Sequence, residues 1–136
     1  MPALALYRRE FKPSAQLAKP WAMVGLNVIA ADTDAEALRL FTSQQQAFTN
    51  MARNRRGPLP LPIDDIESYW SPLEKQQVRQ MLSCSVVGAC ETVLRGVAGF
   101  AVRTGADELM VVSPIHDPAQ RQRSYELLAT YVHPAN

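Results

Sequence analysis

Cysteine is scarce in this sequence. Cys84 and Cys90 are the only two in 136 residues, too few for a disulfide scaffold or a four-ligand zinc site. A reduced, cytoplasmic protein with no bound metal is the expectation. Long hydrophobic runs are also missing: none approaches the ~18 residues needed to span a bilayer, and the N-terminus has no signal-peptide pattern. Neither sign of charge dominates. Fourteen basic and thirteen acidic residues leave a net charge of +1, which argues against nucleic acid or an anionic membrane as partner. There is no internal repeat, charge block or low-complexity tract. What remains is 47% hydrophobic and 20% charged, the composition of one soluble globular domain with a real core.

The chain is organised around residues 88–113. Val93, Leu94, Val97 and Ala101 form one apolar stripe and predict a helix over about 91–104, and Gly105 supplies a left-handed C-cap. Leu109, Met110, Val111 and Val112 follow with no polar alternation, the pattern of a strand buried on both faces. A helix feeding such a strand through a tight turn is half of a βαβ unit.

Residues 3–11 favour a helix that Pro13 stops. Trp21–Ala30 is the longest apolar run and the best strand. Thr33-Asp-Ala-Glu36 is a capping-box pattern. The helix it opens carries Ala37, Leu40, Phe41, Gln44, Phe48 and Met51 at helical spacing. Residues 54–62 hold three of the ten prolines and read as an extended, partly polyproline loop continuing to residue 70, with one short helical turn within 63–70. Ser71-Pro-Leu-Glu74 opens a further helix. Asp117-Pro118 opens the last one, with Tyr125, Leu128, Ala129 and Val132 on its inner face, and His133-Pro134 closes the chain. Two parallel strands, at about 21–31 and 107–113, and about five helices therefore make an α/β fold whose strand edges are open to pairing with another chain.

Several stretches resemble, in order, the C-terminal part of the bacterial luciferase-like flavin-dependent monooxygenases. They include Tyr7-Arg-Arg-Glu-Phe11, Asn27-Val-Ile-Ala-Ala-Asp-Thr-Asp34, Gly57-Pro-Leu-Pro-Leu-Pro62, Tyr69-Trp-Ser-Pro72, Val86-Val-Gly88, Gly105-Ala-Asp-Glu-Leu-Met-Val111 and Arg121-Gln-Arg-Ser-Tyr125. The resemblance implies a (β/α)8 barrel, which needs ~250 residues, so residues 1–136 would be a single partial domain carrying the seventh and eighth strands. It further implies FMN as cofactor and O2 oxidation of a small organic substrate. The chain is not expected to be active alone. Its partner would be a second copy or a separate N-terminal barrel half, and a non-catalytic oligomerising remnant is the alternative. The sequence departs from the family at Ile115-His-Asp-Pro118, where relatives more often have a histidine after the aspartate.

Barrel active sites lie at the carboxyl ends of strands, here Asp32-Thr33 and Ser113–Asp117. His116 is suited to proton transfer or flavin contact, although a solvated loop histidine is the commoner case. Thr33, Ser71 and Asp117 are helix caps first. Gly88 precedes a helix whose first amides, those of Ala89 and Cys90, can hold a phosphate; a glycine needed only for the turn is the simpler account. Cys90 reads as a small buried thiol. Arg53, Arg55 and Arg56 can meet a flavin phosphate or an acidic substrate or form a solvated charge run. Tyr69 and Trp70 anchor their loop. No catalytic residue is assigned.

Overall fold

The computed structural model describes the backbone of residues 2–132 and the side chains of residues 2–130. Its elements are α1 (Pro2–Glu10), β1 (Met23–Ala30), α2 (Asp34–Ala52), α3 (Pro72–Met81), β2 (Ser85–Gly88), α4 (Cys90–Thr104), β3 (Glu108–Val112) and α5 (Pro118–Val132). The caps read from the sequence form. Thr33 Oγ1 accepts the Glu36 amide at 3.1 Å, Ser71 and Glu74 complete a reciprocal capping box, and Asp117 Oδ1 accepts the Gln120 amide at 2.9 Å. Gly105 ends α4 with φ 56°. Val132 lies on α5, but its side chain, with His133 and Pro134, lies outside the described residues.

Three strands are present where two were expected. The third is β2, and the sheet is parallel throughout, ordered β2-β1-β3. Consecutive strands of a barrel are neighbours in chain order; here the first strand lies between the other two. The chain steps from β1 outward to β2, then back across β1 to β3. With right-handed crossovers, such a reversal puts the connecting helices on opposite faces.

The core has that arrangement. Side chains alternate across a strand. Leu26, Val28 and Ala30 pack with Val93 and Phe100 of α4 and Leu127 and Leu128 of α5. On the other face, Ile29 and Ala31 pack with Ala37 and Leu40 of α2 and with Ile115. Gly96 lets α4 lie close to β2, since a Cβ there would stand 2.5 Å from Val86 Cγ1. A third cluster, Trp70, Val78 and Leu82, ties α3 to Phe41 and Phe48 of α2.

Four expectations are corrected. β3 is an edge strand covered on one face only: Leu109 and Val111 join the core, while Met110 and Val112 are half-exposed. Its unbroken apolar run has a neighbour on one edge because the sheet ends there. Residues 63–70 form a hydrogen-bonded turn, Tyr69 N–H to Ile66 O at 3.0 Å, and no helix. The inner face of α5 is Ser124, Leu127 and Leu128, with Ala129 turned outward. The buried face of α4 is Val93 with Phe100, and Leu94 is exposed. α1 buries no residue. It is held by Arg8, whose guanidinium donates to the carbonyls of Thr104 and Gly105 and so neutralises the negative end of α4.

Candidate functional site

In open α/β sheets, ligands bind beyond the carboxyl ends of strands, where the strand order reverses. Here that place lies between β1 and β3, bordered by residues 31–33, 88–89 and 113–117. Side chains of α5 close it. The Ala30 amide donates to Ser124 Oγ at 2.9 Å. Ser124 Oγ and Ser113 Oγ lie 3.2 Å apart, and the Ser113 amide donates to the Tyr125 hydroxyl at 3.0 Å. Arg123 pairs with Asp32 at 2.8 Å above them. Ser113 and Ser124 are almost wholly buried. Sequence reasoning missed this group, since nothing local marks a serine whose partner is 94 residues away.

The turn after β2 is closed in the same way. Asp34, the first residue of α2, reaches across to accept the Ala89 amide at 2.6 Å and the Thr92 hydroxyl at 3.3 Å. These bonds, that to Ala89 foremost, hold its carboxyl below the usual carboxylate range. Asp34 therefore serves as the anion at the positive end of α4. Gly88 beside it has φ 156°, and a Cβ there would stand 2.5 Å from Thr92 Cγ2 and 2.6 Å from Asp34 Oδ1. The glycine is required by that close approach. A flavin phosphate does not fit here: the Ala89 amide is taken, and a carboxylate stands in the place an incoming anion would need.

His116 fastens a loop. Its Nδ1 lies 2.7 Å from the Leu59 carbonyl, which makes Nδ1 the protonated nitrogen. Thr42 and Gln46 of α2 hold the next part of that loop, through Ile63 and Leu61. Arg39, Leu61, Pro62, His116, Asp117 and Gln120 line an open cleft of about 490 Å³ between loop, α2 and α5. Arg39 is itself paired with Asp64 at 2.6 Å.

The structure separates the arginine cluster. Arg53 is bidentate to Glu74 at 2.7 and 3.0 Å, donates to the Tyr69 carbonyl and stacks on the Tyr69 ring. Its hydrogen bonds to Glu74 push the Arg53 pKa up. Arg55 and Arg56 are exposed where the loop leaves α2, and no hydrogen bond among those described joins them to His116. Tyr69 donates to Asn50 Oδ1 at 2.8 Å and Trp70 is buried, so both anchor the loop. Cys84 and Cys90 are free, half-buried thiols. Among the described residues, no three His, Cys, Asp or Glu gather as metal ligands, and no helix is long and apolar enough to cross a membrane.

No family model matches the chain. Individual proteins do. A luciferase-like monooxygenase of Escherichia coli (strain K12) is 49% identical over 125 residues, which is 92% of this chain. Over nearly its whole length the chain is similar to luciferase-like monooxygenases. Uncharacterized protein YvbT of Bacillus subtilis (strain 168) is 43% identical over 95% of the chain. The crystal structure of apo-MsnO8 matches 94% of it with a TM-score of 0.70 and 29% identity. This luciferase-like chain spans a little over a third of each: 37% of the E. coli protein, 38% of YvbT and 39% of the MsnO8 chain.

Proposed function

We propose that this chain is the C-terminal segment of a flavin-dependent monooxygenase and serves that enzyme as framework, with no turnover of its own. The carrying observation is the 49% identity to a luciferase-like monooxygenase over nearly the whole chain, set against coverage of 37% of that protein. Reduced FMN, where it is bound, supplies the electrons with which O2 oxidises a small organic substrate. The residues here support a framework role. Asp34 fills the α4 N-terminus, and Ser113, Ser124 and Tyr125 lock the strand ends together. The remaining length of the polypeptide, in the same chain or as a separate N-terminal half, would carry the flavin contacts. A reducing cytoplasm suits the two free thiols.

A flavin titration of the purified chain tests this reading, with FMN fluorescence as the signal. The expected result is no saturable quenching up to about 100 μM FMN, some hundredfold above the low end of ordinary cofactor and substrate affinities. Saturable micromolar binding would contradict it, and His116→Ala, Arg55→Ala and Arg56→Ala would then locate the site.

A further inference from the structure

A buried polar atom without a hydrogen-bond partner is an exception that calls for an explanation. Among the described residues, eight polar side chains are buried. Six of them are satisfied. Thr42 and Gln46 hold the Pro-rich loop, Thr49 and Thr104 donate to the carbonyls of Gln45 and Phe100, and Ser113 and Ser124 meet each other. The other two, Ser43 and Gln44, are neighbours on α2, and Ser43 Oγ and Gln44 Oε1 have no partner among those residues.

Their positions explain why. A serine or threonine inside a helix can donate to the carbonyl four residues back, as Thr49, Thr104 and Thr130 do. For Ser43 that carbonyl belongs to Arg39, and it already receives the Thr42 hydroxyl at 2.6 Å. Gln44 lies one turn beyond Leu40, on the side of α2 that packs against Ile29 and Val87. Two residues back along each strand, on that same sheet face, stand Asn27 and Ser85, paired in register. Asn27 Nδ2 donates one hydrogen to Ser85 Oγ at 3.3 Å. Its second hydrogen, and that of the Ser85 hydroxyl, have no acceptor among the described residues. The helix thus brings an acceptor without a donor to a sheet that holds donors without an acceptor.

We infer that ordered water is bound in the seam between α2 and the sheet, donating to Gln44 Oε1 and accepting from Asn27 or Ser85, with Ser43 Oγ as a second anchor. An internal water typically makes about three hydrogen bonds to polar groups that are otherwise unsatisfied, and these side chains supply them. Size favours water over any larger ligand. Ser43 is 0% exposed and Gln44 5%, so both are closed off by this chain's own residues. Further polypeptide packed on the outside could not reach them. The inference goes beyond the framework reading and does not depend on flavin.

Oxygen-17 relaxation dispersion of the water signal counts internal waters without interference from exchanging hydroxyl protons. The wild-type chain shows a dispersion. Gln44→Met keeps the length of the side chain, removes its polar end and lowers the amplitude by about one water molecule. Ser43→Ala lowers it as well. Gln45→Met is the control: Gln45 lines an outer cleft with Arg79 and Ser85, and its variant keeps the wild-type amplitude. Circular dichroism checks that each variant is folded, and Ser43→Ala, which removes a single oxygen, decides the matter if Gln44→Met does not fold. A wild type with no dispersion overturns the proposal. So does a folded Gln44→Met or Ser43→Ala with the wild-type amplitude, or an equal fall in Gln45→Met.

Discussion

Two carboxylates and one glycine illustrate how single residues hold this molecule. Glu74 has two roles at once, closing the α3 capping box and receiving both arms of Arg53. The Arg53 hydrogen bonds first, and then those from Ser71, bring its pKa from 4.5 to about 2. Because the folded value is the lower one, the stabilisation is complete above about pH 4.5 and disappears as pH falls through about 2. Glu74→Gln should therefore melt below wild type at pH 7, and the gap between the two should narrow steadily from pH 5 to pH 2. Melting curves by circular dichroism across that range check the sign. Asp34 obeys the same rule through Ala89, in the same direction. At Gly88, alanine would bring its Cβ against Thr92 and Asp34 in a backbone conformation that L side chains rarely adopt. Gly88→Ala should cost about 2 kcal/mol or more in urea unfolding. A change below about 0.5 kcal/mol would mean the turn relaxes freely.

At the scale of elements, helix ends were legible and strand partners were not. Thr33, Ser71, Gly105 and Asp117 announce helix boundaries because a cap is a local bond, three residues long. The face of α2 is equally local, and Ala37 and Leu40 are buried as their spacing requires. β2 escaped because Ser85-Val-Val-Gly88 is too short for a period to be read and lies between two helices. β3 departs from its sequence pattern for a different reason. Four apolar residues in a row suit a strand with neighbours on both sides, but the number of strands is a property of the whole sheet. The serine pair that joins α5 to β1 and β3 gave no local signal either. Ser124→Ala would leave the buried Ala30 amide without its acceptor, at a cost of about 1–3 kcal/mol. Hydrogen exchange should show that loss first at Ala30, ahead of the strand centres. Equal protection in variant and wild type would show that Ser124 does not hold the strand end.

For the molecule as a whole, strand order governs the rest. With β1 in the centre, α2 lies on one face and α4 and α5 on the other. The strand ends of β1 and β3 come together under α5. The family resemblance was legible across the chain, and the two strands it named, β1 and β3, pair directly, but it said nothing of a third between them in sequence. The residues weighed as possible flavin contacts scatter. His116 holds the Pro-rich loop, Gly88 fits beneath Asp34, and Arg55 and Arg56 project outward. A framework segment that depends on further chain for its cofactor site would show such a distribution.

Strand order is also what can be measured most directly. In an isotopically labelled sample, short inter-strand proton contacts report which strands are neighbours. The account predicts contacts linking Leu26 with Val111 and Val28 with Val86, and none between β2 and β3. Contacts joining Val86 or Val87 to Leu109–Val111 would place β2 in the middle and would contradict it.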